Sequence, residues 1–143
     1  FAAWKRMLAI NLDGPFLTTW AVKAAMVQRG WGRIVNVASI AGVVLKGDMV
    51  HYATAKAALI AFTRHSAAAL VGQGIRVNCV APGLTDTEMA HQANPGGVED
   101  LVATTPMGRM ASPEEIAGVV KFLLCEDSGF VTGQTVVACG GRT

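Results

Sequence analysis

Ser39, Tyr52 and Lys56 are the residues whose types and spacing suit proton transfer. Tyr52 and Lys56 stand four positions apart, and Ser39 lies thirteen positions before the tyrosine. A helix from about His51 onward would set Tyr52 and Lys56 one turn apart on one face. A cation there favours phenolate over phenol, lowering the tyrosine pKa from about 10 toward the working pH. A Ser39 hydroxyl could hold a substrate oxygen beside that phenol. Together they outline a proton-transfer site for a carbonyl and alcohol pair.

The surrounding pattern predicts the elements that would position this site. From about Ala2 to Gln28 apolar residues recur at helical spacing, among them Leu8, Leu17, Trp20, Ala24 and Val27. The pattern breaks at Asp13-Gly14-Pro15. Proline has no N–H and crowds the carbonyl four residues back, here that of Asn11, so a kink is expected, which either frees this carbonyl for a water or is simply tolerated beside an incidental asparagine. Gly30-Trp31-Gly32 ends the helix, and the β-branched run Arg33 to Ala38 reads as a strand with Ser39 at its carboxyl end. Open α/β sheets place their ligands at that end.

An alanine-rich helix is expected from about Tyr52 to Val71. Its small side chains fit packing on a sheet and on another subunit, and equally fit plain helix propensity. Ile75 to Ala81 reads as a second buried strand that runs into Pro82-Gly83 and then Thr85 and Thr87. Such a turn lets backbone approach a ligand, and the threonines add hydroxyl donors. Glu88 to Met110 has a poor pattern and reads as a lid or substrate loop. Its Met89, Met107 and Met110 suit an adaptable pocket wall or ordinary core filling. Ser112-Pro113-Glu114-Glu115 is a helix start with a capping box, running to about Cys125. Gln134 to Cys139 reads as a third strand.

Composition bounds the rest. The 143 residues fit one domain, 52% are apolar and only 15% are charged, so a sizeable core or interface is expected. Mean hydropathy is +0.40. A formal charge of +2 without a Lys/Arg run argues against a nucleic-acid partner. No apolar run has the ~18 residues of a membrane span. Cys79, Cys125 and Cys139 lack metal-ligand spacing and read as buried free thiols in a reducing compartment, with cytoplasmic localisation and no metal. The chain opens on Phe1 inside a helix-like pattern and is read as a piece of a longer polypeptide.

In order along the chain stand NLDGPF around Asn11, GRIVNVAS ending at Ser39, YATAK with Tyr52 and Lys56, IRVNCVAPG ending at Gly83, Thr85 and Thr87, SPEEIA, and a final VTGQ with GG. This series resembles the short-chain dehydrogenase/reductase family, in its compact type of 3-oxoacyl reductases and related alcohol dehydrogenases, over essentially the whole chain. The resemblance implies an α/β fold, the last three strands and their helices of a Rossmann-type doubly wound parallel sheet. Residues 1–143 would be the carboxyl-terminal, catalytic half of one NAD(P)-binding domain, with the amino-terminal half absent.

The resemblance also implies the roles. Tyr52 would be the general acid/base. Lys56 would lower its pKa and bind the nicotinamide ribose, both residues thus touching the cofactor. Ser39 would orient the substrate oxygen, and the Asn11 main-chain carbonyl would hold a water in a proton relay through Lys56. Pro82, Gly83, Thr85 and Thr87 would lie against the nicotinamide end of NAD or NADP. The substrate would be a small alcohol or ketone or an acyl thioester, and the full-length protein a dimer or homotetramer. His51, Arg64 and His65 match no catalytic position.

The chain departs from the family in having no glycine-rich first turn to hold the pyrophosphate. Ala69 stands where many relatives carry an acidic residue. A non-catalytic fragment or assembly module without its own dinucleotide site is the competing expectation.

Overall fold

The computed structural model describes residues 1–44 and 49–142, so residues 45–48, within the Ser39 to Lys56 stretch, lie outside it. The chain opens with α1 (Ala2–Leu8), a π-helical turn (Ala9–Asp13) and α2 (Gly14–Arg29). The interruption expected as a kink at Pro15 is therefore a widened turn just before it. Pro15 sits in the first turn of α2, where its missing N–H is no loss. The mismatch is taken up upstream, where the Gly14 amide reaches five residues back to the Ala9 carbonyl.

Strand β1 (Gly32–Val37) follows, then a 3₁₀ turn (Ile40–Gly42), α3 (Val50–Leu70) and β2 (Ile75–Pro82). The stretch Glu88 to Met110, expected to be irregular, contains two short helices, α4 (Glu88–Ala93) and α5 (Glu99–Ala103). Thr87 caps the first with its hydroxyl, a local signal that the weak hydrophobic period had hidden. Then come α6 (Pro113–Leu124) and β3 (Thr135–Ala138).

Among the described residues the sheet has three parallel strands in the order β1-β2-β3. Gly32 to Val37 pair with Ile75 to Val80, and Cys79 to Pro82 pair with Thr135 to Ala138. Successive strand residues point to opposite faces. Ile75, Val77, Cys79 and Ala81 meet Ala67, Leu70 and Leu59 of α3. Arg76, between them, reaches instead to the carbonyl of Leu123 in α6. Helices thus cover both faces, which is the doubly wound arrangement, and β2 is buried almost throughout. Full burial of each of Leu59, Ile75, Val77, Val80 and Leu123 contributes about 1.5–3 kcal/mol.

Helix α6 starts as its sequence predicts. Ser112 Oγ accepts from the Glu115 amide at 3.2 Å, and Glu115 Oε2 accepts from the Ser112 amide at 2.8 Å. Arg109 grips the same carboxylate with two bonds of 2.7 Å.

The apolar series Leu17, Trp20, Ala24 and Val27 lies exposed, while Thr19 and Met26 turn inward. The helix is apolar on two sides, and periodicity does not say which side meets the sheet. Cys79 and Cys139 are buried free thiols, but Cys125 is only half-buried. No helix among the described residues is long and apolar enough to cross a membrane.

Candidate active site

Helix α3 carries Tyr52 and Lys56 in its first two turns. The Lys56 Nζ lies 5.6 Å from the centre of the Tyr52 ring and donates to the Val37 carbonyl at 2.9 Å, at the end of β1. An ammonium has three donors, so that bond leaves two for a ligand. Burial lowers the Lys56 pKa below its ordinary value, because desolvation penalises the charged form.

Ser39 follows β1 with extended backbone (φ −164°) and caps the 3₁₀ turn, its Oγ accepting from the Ala41 amide at 3.1 Å. Because the oxygen accepts there, its own O–H remains to donate to a substrate oxygen. The turn is seated directly on α3. A β-carbon built on Gly42 would lie 2.7 Å from the Ala57 nitrogen and 2.8 Å from the Lys56 carbonyl carbon, closer than side chains allow. Backbone touches backbone here, and the contact holds the serine's turn against the helix that carries Tyr52 and Lys56.

Asn11 lies in the π-helical turn, which packs against α3. Its Nδ2 donates to the Met7 carbonyl at 3.1 Å, so the side chain is turned back along its own helix. Pro15, four residues on, has no N–H to give the Asn11 main-chain carbonyl. Asn11 and Lys56 both line a cavity of about 420 Å³ that runs along β1 past Asn36 and Val37.

The residues after β2 are less free than the sequence suggests. Gly83 donates its amide to Ala138 at 2.8 Å, and a β-carbon there would lie 2.7 Å from the Cys139 Cα. Its close approach is thus to the end of the neighbouring strand, where ligand access was expected to require it. Thr85 Oγ1 donates to Gly83 at 3.3 Å, and Thr87 Oγ1 donates to Thr85 at 3.4 Å while capping α4. Both hydroxyls serve the shape of their loop. Pro82 closes β2, beside the strand that leads to Ser39.

The structure therefore brings Ser39 to α3 through Gly42, and Asn11 to Lys56 across one cavity, with the Pro82 to Thr87 turn at the same end of the sheet. Sequence reasoning missed Gly42, a glycine three residues after the serine. It also missed the polar pair Asn36 and Thr63, the latter visible as one hydroxyl in the stripe Ala55, Leu59, Thr63, Ala67.

A nicotinamide cofactor fits this site in part. The two remaining donors of a half-buried Lys56 suit ribose hydroxyls, while no glycine-rich turn for a pyrophosphate occurs in the chain.

A family profile described as enoyl-(acyl carrier protein) reductase matches residues 1–143. The rat (3R)-3-hydroxyacyl-CoA dehydrogenase is 44% identical over 140 residues, covering 96% of this chain and 54% of the relative. A 3-oxoacyl-[acyl-carrier protein] reductase from Brucella melitensis with bound NAD superposes with a TM-score of 0.89 at 40% identity, over 99% of this chain and 53% of that one. A gluconate 5-dehydrogenase from Burkholderia cenocepacia in complex with NADP and tartrate does so with a TM-score of 0.93 at 33% identity, over 99% and 56%. The chain spans a little over half the length of the curated relatives it matches.

Proposed function

The chain belongs to the short-chain dehydrogenase/reductase family, and on that premise we propose that it is the carboxyl-terminal, catalytic half of an NAD(P)-dependent oxidoreductase that interconverts an alcohol and a ketone. The observation that carries this reading is the joining of the Ser39 turn to α3 at Gly42, one helical turn beyond Tyr52.

NAD or NADP, when bound to the full-length protein, supplies or accepts the hydride. The residues of this chain handle the oxygen and its proton. Ser39 donates a hydrogen bond to the carbonyl oxygen and Tyr52 gives it the proton in the reductive direction. Lys56 stabilises the phenolate left behind and offers its two remaining donors to the ribose. The Asn11 carbonyl holds a water through which Lys56 regains protons from solvent. Pro82, Gly83, Thr85 and Thr87 form a wall at the nicotinamide end, shaped by their own internal bonds. The substrate class is a 3-oxoacyl thioester or a small hydroxy compound, as the names of the relatives suggest.

A length near half that of the relatives supports the reading as a half-domain, as does the outer edge of β1, which pairs with no strand among the described residues and ends on exposed Val37. The exposed Phe16, Leu17, Trp20 and Val27 of α2 suit burial in a dimer or tetramer.

Tyr52→Phe in the full-length protein tests the reading. Turnover should fall by roughly 10²–10⁴-fold with cofactor binding largely kept. A variant that keeps more than about a tenth of the activity overturns the acid/base role. Titration of the isolated chain with NADH or NADPH addresses the half-domain, since saturable tight binding would mean that this portion holds the cofactor alone.

A further inference from the structure

Helix α3 meets the sheet through the stripe Ala55, Leu59, Thr63, Ala67 and Leu70, set against Ala38, Ile75, Val77, Cys79 and Ala81. These contacts are apolar and many are made by small side chains. Such contact is non-directional, so it holds a helix to a sheet without fixing where the helix stops along its own axis. Near the middle of the stripe a polar pair interrupts it. Asn36 Nδ2 donates to Thr63 Oγ1 at 2.9 Å, and the threonine hydroxyl donates in turn to the Leu59 carbonyl at 2.9 Å. Asn36 is 7% exposed and Thr63 0%.

Among the described residues only two side-chain hydrogen bonds join α3 to β1, this one and that of Lys56 to Val37. Lys56 is committed to ligand chemistry, so the Asn36–Thr63 bond is the one available as a dedicated peg. Buried polar pairs add little net stability compared with well-packed apolar groups, and their best-attested use is to select register. Asn36 precedes Ser39 by three residues of extended chain, roughly 10 Å. Thr63 follows Tyr52 by eleven helical residues, roughly 16 Å of rigid rod. A slip at the peg is therefore carried undiminished to the tyrosine.

We propose that Asn36 and Thr63 are a positioning pair whose buried hydrogen bond fixes the axial register of α3 on β1, and with it the place of Tyr52 relative to Ser39. The proposal rests on the acid/base reading of Tyr52. Neither residue touches the reacting atoms. Both act through the helix.

The test uses the full-length protein, with turnover of acetoacetyl-CoA or another carbonyl probe that the parent reduces, at a temperature where circular dichroism shows the variant fully folded. Thr63→Val should lower kcat by roughly 10- to 100-fold while the KM for the carbonyl holds, and Thr63→Ser should restore it. The double variant Asn36→Leu/Thr63→Val removes both polar partners and leaves no orphaned amide. It should therefore regain the parent melting temperature without regaining kcat. If Thr63→Val does not fold, the double variant decides. Parent kcat in a folded Thr63→Val or in the double variant would overturn the positioning role. Should Tyr52→Phe lose turnover while the double variant keeps it, the peg alone fails. Retained turnover in Tyr52→Phe would instead remove the reading on which the peg depends.

Discussion

Gly42 and Ala57 touch backbone to backbone, so that a β-carbon on the glycine would come within 2.7 Å of the Ala57 nitrogen. That contact couples the end of β1, where Ser39 stands, to the second turn of α3. A main-chain neighbour cannot rotate away, so Gly42→Ala must push the serine's turn off the helix. Overpacking of this kind costs about 1–3 kcal/mol. The larger effect should be on turnover, with a fall of roughly 10- to 100-fold from the displaced hydroxyl. Steady-state kinetics and a denaturant melt of the full-length variant check both. Near-parent kcat would mean that Ser39 is positioned elsewhere.

Lys56 couples function to a stability cost. Its pKa is lowered by burial, so the folded state disfavours the ammonium relative to the unfolded chain. The sign follows from linkage. Below the lowered pKa the folded protein carries the desolvation cost, and the cost fades as pH rises through that pKa toward the unfolded value. Lys56→Met should abolish turnover yet melt no lower than the parent at pH 7 without cofactor. With rising alkaline pH the parent should gain on the variant. A variant that melts far below the parent, by an amount independent of pH, would contradict this.

The local elements that carry the candidate site were more legible in the sequence than the packing. Tyr52, Lys56 and the Ser112 capping box are local patterns, in which residue type and spacing fix the geometry, and each appears where expected. Ser39 needed only the prediction of one strand. The π-helical turn around Asn11 was not legible, because a proline in a helical pattern is equally compatible with a kink or with a fresh helix start after a widened turn. Nor was the exposure of Leu17, Trp20 and Val27, since a helix apolar on two sides leaves the choice of inward face to its neighbours. The Thr85 and Thr87 hydroxyls depend on the path of their own loop, which no periodicity encodes.

Arg76 is a buried cation whose partners are chiefly main-chain oxygens. Its Nη1 donates to Leu123, Ser128 Oγ and Val131 at 3.0–3.2 Å, and its Nη2 donates to Cys125 at 2.9 Å. Leu123 and Cys125 close α6, so the charge also meets the negative end of that helix. A lysine ammonium cannot span these oxygens as a planar fork does. Arg76→Lys should therefore destabilise the full-length protein by about 3 kcal/mol or more in a urea melt, since it leaves buried acceptors unpaired. Arg33 makes the contrast. Its salt bridge goes to Glu126, whose side chain is 75% exposed. Glu126→Gln should cost less than about 1 kcal/mol. Equal losses from the two changes would show that the Arg76 network contributes no more than a surface pair.

Glu115 supplies a pH signature that leaves catalysis aside. The Arg109 guanidinium and the Ser112 amide hold its carboxylate down to about 2. An unfolded glutamate titrates near pH 4.3. A carboxylate whose pKa is depressed on folding stabilises the fold at all pH values above the unfolded pKa, and this contribution is lost as pH falls toward the folded one. Between about pH 4 and 2 the parent should therefore lose stability faster than Glu115→Gln, whose amide does not titrate. The group is exposed, so raised salt should shrink the difference by screening. Thermal melts of parent and variant across that acid range, at low and high salt, make the comparison. Parallel curves would show that the Arg109 clamp does not persist in solution, leaving the Ser112 hydroxyl as the sole side-chain cap of α6.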